Sequence, residues 1–420
     1  IMNDKLLHTP EGVRDIYNGE CEKKLILQNR MHEILKLYGF KDIQTPSFEF
    51  FDIFSKERGT IGSNEMYKFF DRDGNTLALR PDMTPAIARC VAKYYRDENL
   101  PIRLCYMGST FINNSSYQGK LKETTQLGAE LINDSSVDAD AQMIAMSIEC
   151  LKKVGLKEFQ LEIGHVDFFN GLVEEARFEE EEIEQLRAAI EDKNLFGVEE
   201  LVSSKPIDSK LKEILFKLPE LFGNEDILTY ASRMTNNAKA KKAIERLWNV
   251  YNILNLYGLG DYVTFDLGML SKYKYYTGVI FRGFTYGTGD AIVTGGRYDK
   301  LVCQFGKDSA AIGVAIVVDQ LMNALSRQKI DVELLENNTL ILYREEFRNS
   351  AITLAGYFRS HGMNIEMLTV SSSFRVNDYK EYARRIGIGG ILVMEDNEAI
   401  QVINMVENVT NIVKMSDLIQ

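Results

Sequence analysis

Residues 108–131 read GSTFINNSSYQGKLKETTQLGAEL. An apolar approach (RLCYMGSTF) leads into a polar stretch, and a second patterned segment (TTQLGAELI) leads out. This pattern predicts two antiparallel strands joined by an exposed loop. Such loops often carry function, and one that gripped a nucleotide should offer arginines or lysines. This loop offers Asn113, Asn114, Ser115 and Ser116, with only Lys120 and Lys122 as cations. On the outgoing strand Gln126 and Glu130 lie four apart and therefore point to the same face. A half-buried strand with one polar face would show the same spacing, so both readings stand at this point.

Working outward, LRPDMTPAIAR (79–89) starts a helix at Thr84-Pro85, with threonine a good N-cap and proline suited to the first position. Ile87, Ala88, Val91 and Ala92 give that helix its buried face. Upstream, apolar residues recur at helical spacing from Cys21 to Tyr38. FKDIQTPSFEF follows as an extended segment, and its Pro46 suggests an edge or an interface. EMYKFFDRDGNTLALRPD alternates like a hairpin turning at Asp73-Gly74. Downstream, a helix is expected from Asp138 to Val154 and a strand in LKEFQLEIGH. Residues 167–257 are helix-like throughout and read as a helical insertion. Strand character returns in YVTFDLGML, YYTGVIFRGF and DAIVTGGRY, with TGGRYDKL forming a glycine turn, before a final helix near Ile312–Arg327. After a linker, IDVELLENN, strands alternate with helices and predict a small separate α/β domain at 337–420.

The chain has 420 residues, 45% hydrophobic and 26% charged, as an ordinary globular protein of two or three domains would. A net charge of −12 argues against a broad nucleic-acid surface. Five scattered cysteines without a CxxC fit a reducing cytosol. The absence of a signal peptide and of any apolar run near ~18 residues points to a cytoplasmic protein without a membrane partner. There is no Walker A loop, GxSxG or HExxH, so no catalytic residue and no cofactor are assigned. His8, His32, His165 and His361 lack ligand spacing, so no metal site is assigned either. The acidic run Glu179–Glu182 reads as a solvated helix face, and Gly387–Gly390 as a tight helix-to-strand turn.

Asp82, Thr84, Gln126, Glu130, Tyr275 and Tyr276 could together supply carboxylates, an amide and phenols. That set suits an amino-acid ammonium and an imidazole, although spacing alone does not make the residues converge. Thr84 as a simple helix cap is the plainer alternative.

GVRDI, the Pro46 segment, LRPDMTPAIAR, QLGAE, YYTGVIF, GGRYDKLV and AAIGVAI follow one another as in the histidyl-tRNA synthetases, which this chain resembles. The resemblance implies an α+β fold of the class II aminoacyl-tRNA synthetase type. Its antiparallel sheet with helices would occupy 1–325, and 337–420 would resemble an anticodon-binding domain. It also implies dimerisation through the Pro46 segment. By the same resemblance Asp82 and Thr84 would meet the ammonium, Gln126 the amino-acid backbone, and Glu130 and Tyr276 the imidazole, with Tyr275 lining the pocket.

The family's arginines do not follow. Ile112 stands where the loop arginine belongs, Asn114 and Ser115 replace the acidic residue and the next arginine, and Ser271 replaces the catalytic one. The last motif, Gly-Leu-Glu-Arg in the family, reads Val317, Val318, Asp319, Gln320. Losing one preorganised donor typically costs about 10²–10³ in rate, and the nearby Lys122, Lys272 and Lys274 lack the guanidinium fork. The pattern therefore resembles the regulatory subunits of ATP phosphoribosyltransferase. Such a subunit is not itself an enzyme. It would assemble as a dimer with the short catalytic subunit into a hetero-octamer and take L-histidine as effector. Arg297 is a candidate contact for the histidine carboxylate. A C-terminal domain is absent from many such subunits, and here it carries eight Lys/Arg against ten Asp/Glu, no support for a tRNA grip. The rival readings are an active synthetase and a paralogue that binds another amino acid or a protein.

Overall fold

The computed structural model describes residues 4–55, 58, 61–114, 120–270, 275–334, 338–371, 375–394, 396 and 398–419. They fall into two compact units, one of residues 1–16 and 24–332, the other of residues 17–23 and 333–420.

The first unit is built on a nine-stranded sheet. Across it the strands run Lys41–Asp42, Ile102–Phe111, Glu123–Ile132, Ala311–Val317, Val293–Arg297, Val279–Thr285, Phe159–His165, Val263–Asp266 and Phe222–Gly223. From Ile102–Phe111 to Phe159–His165 every neighbour is antiparallel, while Lys41–Asp42 and Val263–Asp266 add parallel pairs towards the two edges. The opening hairpin pairs Ile102 with Ile132 and Phe111 with Glu123.

The two-residue repeat of a strand divides the outgoing arm between two cores. Leu127, Ala129 and Leu131 pack into the large cluster that also holds Met143, Ile144 and Ile148 of the helix Val137–Lys153. Ile132 joins the opposite cluster with Met83, Ile87 and Val91 of the helix region 83–94. Gln126 and Glu130 share the parity of Ile132, so they face that second side. From Leu127 onward the strand is buried on both faces, so Glu130 lies inside the protein and Gln126 is partly buried.

A three-stranded sheet of Phe48–Phe50, Thr76–Leu79 and Lys68–Phe70 completes this part of the unit. The turn between its last two strands is organised by Asp71, whose carboxylate accepts from the N–H groups of Asp73 and Asn75. Between Phe159–His165 and Val263–Asp266 the chain is helical except for Phe222–Gly223. Glu179–Glu182 opens one of these helices, where acidic groups favour the positive end of the dipole.

Two expectations need correcting. The segment from Ala311 to Val317 is a strand, and the helix begins only at Val318. AIGVAIV is apolar throughout because both of its faces are buried, and such a run does not distinguish strand from helix by periodicity. The glycines of TGGRY lie within the strand Val293–Arg297 rather than in a turn.

The second unit has a five-stranded sheet ordered Asn364–Thr369, Asn338–Tyr343, Gly390–Met394, Ala399–Asn404 and Val409–Lys414. Leu340 and Leu342 face Tyr379 and Ala383 of one helix. Ile341, between them, faces Leu354 and Ala355 of the other. The closing antiparallel strands were not anticipated from sequence. Gly387 ends its helix at φ 76°, in the left-handed region expected for a helix-to-strand turn.

Candidate functional site

The helix that opens after LRPDM begins at Thr84, with Met83 as its capping residue and no side-chain cap. The Thr84 hydroxyl goes elsewhere, donating to Glu130 Oε1 at 2.9 Å. The N-cap reading is therefore corrected: Thr84 is the first helical residue, and its hydroxyl donates to the buried Glu130 carboxyl and caps no backbone N–H. Tyr298 donates its phenol proton to Glu130 Oε2 at 2.5 Å. Glu130 and Tyr298 are each only 1% exposed. Burial pushes the Glu130 carboxyl up to about 8, opposed by the Tyr298 and Thr84 hydrogen bonds.

Asp82 lies beside this group. Its carboxylate accepts the Tyr275 hydroxyl at 3.0 Å and the Thr84 backbone N–H at 3.3 Å. Burial raises its pKa too, while those bonds act in the opposite direction. Tyr275 stands edge-on to both Tyr276 and Tyr298, with ring centroids 5.0 and 5.9 Å away. Asp82, Thr84, Gln126, Tyr275, Tyr276 and Tyr298 all line one cleft, floored by Gly313, Val314 and Ala315. Gln126 Oε1 is buried there with no hydrogen-bond partner among the described residues.

Two glycines make room for this arrangement. A Cβ on Gly313 would stand 1.8 Å from Glu130 Oε2, and one on Gly296 would stand 2.8 Å from the Tyr276 ring. Both are close-approach positions on the strands.

The structure therefore gathers Asp82, Thr84, Gln126, Glu130, Tyr275 and Tyr276. It gives Arg297 a different place. This guanidinium is 4% exposed and bonded to Asp140, with Nε–Oδ1 at 2.8 Å, to Asp299 Oδ1 at 3.1 Å and to the Asp134 carbonyl at 2.9 Å. Asp140 also holds Arg246, from a helix of the insertion, at 2.6 Å. Arg297 is a structural ion-pair residue and does not line the cleft. Tyr298, its neighbour, was missed. Its signal lay in the quoted GGRYDKL, where strand alternation turns the residue after Arg297 to the other face.

Sequence reasoning also passed over Arg80. It donates to the carbonyls of Ser109, Thr45 and Pro46, clamping the Pro46 segment to the incoming strand. Ile112 and Asn114 are held by Lys122 and Leu121 across the loop, and a Cβ on Gly12 would meet the Lys122 stem at 2.5 Å. Asp319 accepts from the Thr125 N–H and from Lys24, at 2.6 and 2.8 Å. Ser115, Ser116, Ser271, Lys272 and Lys274 lie outside the described residues. His32, Asp42 and Cys105 bring their polar atoms within 4.8 Å of one another, but Asp42 is already paired with His32 and Lys36. Among the described residues no arginine or lysine lines the Asp82 cleft.

The family model described as Histidyl-tRNA synthetase matches residues 12–321. The ATP phosphoribosyltransferase regulatory subunit of Acetivibrio thermocellus is 41% identical over 419 residues, covering 100% of each chain. The chain belongs to the family of ATP phosphoribosyltransferase regulatory subunits. A crystal structure described as an ATP phosphoribosyltransferase regulatory subunit/histidyl-tRNA synthetase from Bacillus halodurans matches with a TM-score of 0.81 and 33% identity. That match covers 90% of this chain and 96% of the other. Histidyl-tRNA synthetase from Nostoc sp. PCC 7120 also matches with a TM-score of 0.81, over 98% of both chains. At 19% identity that likeness establishes the fold alone. The regulatory-subunit family thus carries a class II synthetase-like fold, and this member keeps its C-terminal sheet unit. No helix among the described residues is long and apolar enough to cross a membrane.

Proposed function

We propose that this chain is the non-catalytic subunit that activates the short catalytic subunit of ATP phosphoribosyltransferase and makes it responsive to histidine. The enzyme joins ATP to phosphoribosyl pyrophosphate in the first step of histidine biosynthesis. The observation that carries the reading is the Asp82 cleft. It offers a carboxylate for an ammonium, the buried Gln126 oxygen and the Tyr275 and Tyr276 phenols, and two of its wall residues, Thr84 and Tyr298, hold the buried Glu130 carboxyl. It offers no guanidinium for a phosphate among the described residues, which supports binding of an amino acid without its activation.

Asp82 would take the ammonium beside Thr84, Gln126 the amino-acid backbone, and Glu130 with Tyr276 the imidazole, while Tyr275 walls the pocket. Burial favours the protonated form of Glu130, which can donate to a ring nitrogen, or surrender its proton and accept from an imidazolium. Histidine and the active assembly would be linked by a coupling free energy, typically ~1–3 kcal/mol or about 5–150-fold. The assembly is a cytoplasmic hetero-octamer containing dimers of this chain, and no cofactor or metal is assigned to this chain.

Reconstitution tests this reading. The short catalytic subunit is assayed for phosphoribosyl-ATP formation with and without this chain, each with and without histidine. A rise in activity that histidine suppresses is expected. A rise indifferent to histidine would keep the assembly role and remove histidine from the cleft. No rise and no complex on a sizing column would remove both. Histidine-dependent exchange of pyrophosphate into ATP by the isolated chain would instead make it a synthetase.

A further inference from the structure

A second cavity, of about 300 Å³, lies between two helices, Val166–Glu175 and Glu180–Glu191, and the residues Met269, Leu270 and Tyr276. The helix Glu180–Glu191 lines it with Glu180, Ile183, Glu184 and Arg187, and Phe169 and Tyr276 stand across from them. Tyr276 also lines the Asp82 cleft, so one ring separates the two spaces. The Arg187 guanidinium stacks over the Phe169 ring at 5.2 Å. Its Nε is buried and has no hydrogen-bond partner among the described residues.

A guanidinium keeps its charge at any physiological pH, and a buried donor without an acceptor is costly. Glu180 and Glu184 are exposed on the same helix face, yet neither is ion-paired with Arg187. Among the described residues the wall thus presents one cation, two carboxylates and an apolar surface from Phe169 and Ile183. Among these, two carboxylates to one guanidinium disfavour a phosphate or any polyanion. A zwitterion fits this charge pattern, its carboxylate on Arg187 and its ammonium towards Glu184 and Glu180. A volume of about 300 Å³ is at the small end of ligand pockets.

We propose that this cavity is a second small-molecule site, for a free α-amino acid with an apolar side chain. It stands on Arg187 and not on the assignment of histidine to the first cleft.

Calorimetric titration of the full chain with L-leucine and L-phenylalanine, with and without saturating L-histidine, tests it. At least one of the two is expected to bind whether or not histidine is present. Arg187→Met should weaken that binding tenfold or more, Arg187→Lys should weaken it less, and Asp82→Asn should leave it within twofold. L-Leucinol, without the carboxylate, and 4-methylpentanoate, without the ammonium, should both fail to bind. Failure of both amino acids would overturn the proposal. So would binding that Arg187→Met leaves intact in a chain whose melting curve is unchanged, or binding that only Asp82→Asn abolishes. Inorganic phosphate that binds more tightly than either amino acid and depends on Arg187 would make this an oxyanion site instead.

Discussion

Tyr298 and Glu130 share a 2.5 Å hydrogen bond in a space where each is 1% exposed. Strands far apart in the chain bring them together, and the bond fixes where Glu130 points. A buried acceptor that loses its donor typically costs about 1–3 kcal/mol. Tyr298→Phe keeps the ring and removes only this donor. Histidine affinity, measured by titration calorimetry, should fall roughly ten- to hundredfold by that arithmetic. Unchanged affinity would mean that the imidazole is held elsewhere.

Thr84 can be tested by a pair of substitutions. Thr84→Ser keeps the hydroxyl that reaches Glu130, whereas Thr84→Val keeps the shape without it. The serine variant should bind histidine within a few-fold of the parent, and the valine variant about tenfold more weakly, near the value of one such bond. If the two variants behave alike, the hydroxyl has no part in the cleft.

The raised pKa of Glu130 predicts a pH dependence of stability. The folded state holds this proton up to about pH 8, whereas an unfolded glutamate releases it near its ordinary value of 4.5. Between those values the native chain binds more protons, so stability falls as pH rises. Glu130→Gln removes this contribution. Melting curves should show the variant gaining on the parent from pH 5 to pH 8, and a pH-independent difference would contradict the burial argument. Asp82 and other raised acids contribute to both chains, so the difference between the two is the informative quantity.

Arg297 should behave as part of the architecture. Breaking a buried ion pair from one side typically costs about 3–5 kcal/mol. Arg297→Gln leaves Asp140 with Arg246 alone, so the melting temperature should fall by several degrees. A carboxylate ligand role would give the opposite pattern, with lost histidine affinity and unchanged melting.

The opening hairpin was legible because alternation and a polar loop are local properties of the chain. Its place in the sheet was not. The same is true of AIGVAIV, where burial on both faces erases the periodicity that separates strand from helix. Thr84 was misread for a related reason. A cap is the local use of a threonine at a helix start, and the carboxyl to which Thr84 donates instead, Glu130, lies 46 residues away. The choice of Arg297 as a ligand contact rested on its charge, and Asp140, 157 residues distant, claims that charge.

By itself the sequence determined the elements whose cause is local: the hairpin, the helical stretch of the insertion, the turn at Gly387, and the loss of arginine at position 112. Tertiary structure alone decided which polar groups meet. Strand parity turns Gln126 and Glu130 inward, Gly313 and Gly296 admit the Glu130 carboxyl and the Tyr276 ring, and Tyr298 rather than Arg297 reaches the cleft. Hydrogen bonds and ion pairs extend only about 3 Å, so the partners of a side chain are set by the packing of distant strands and not by its neighbours in the chain.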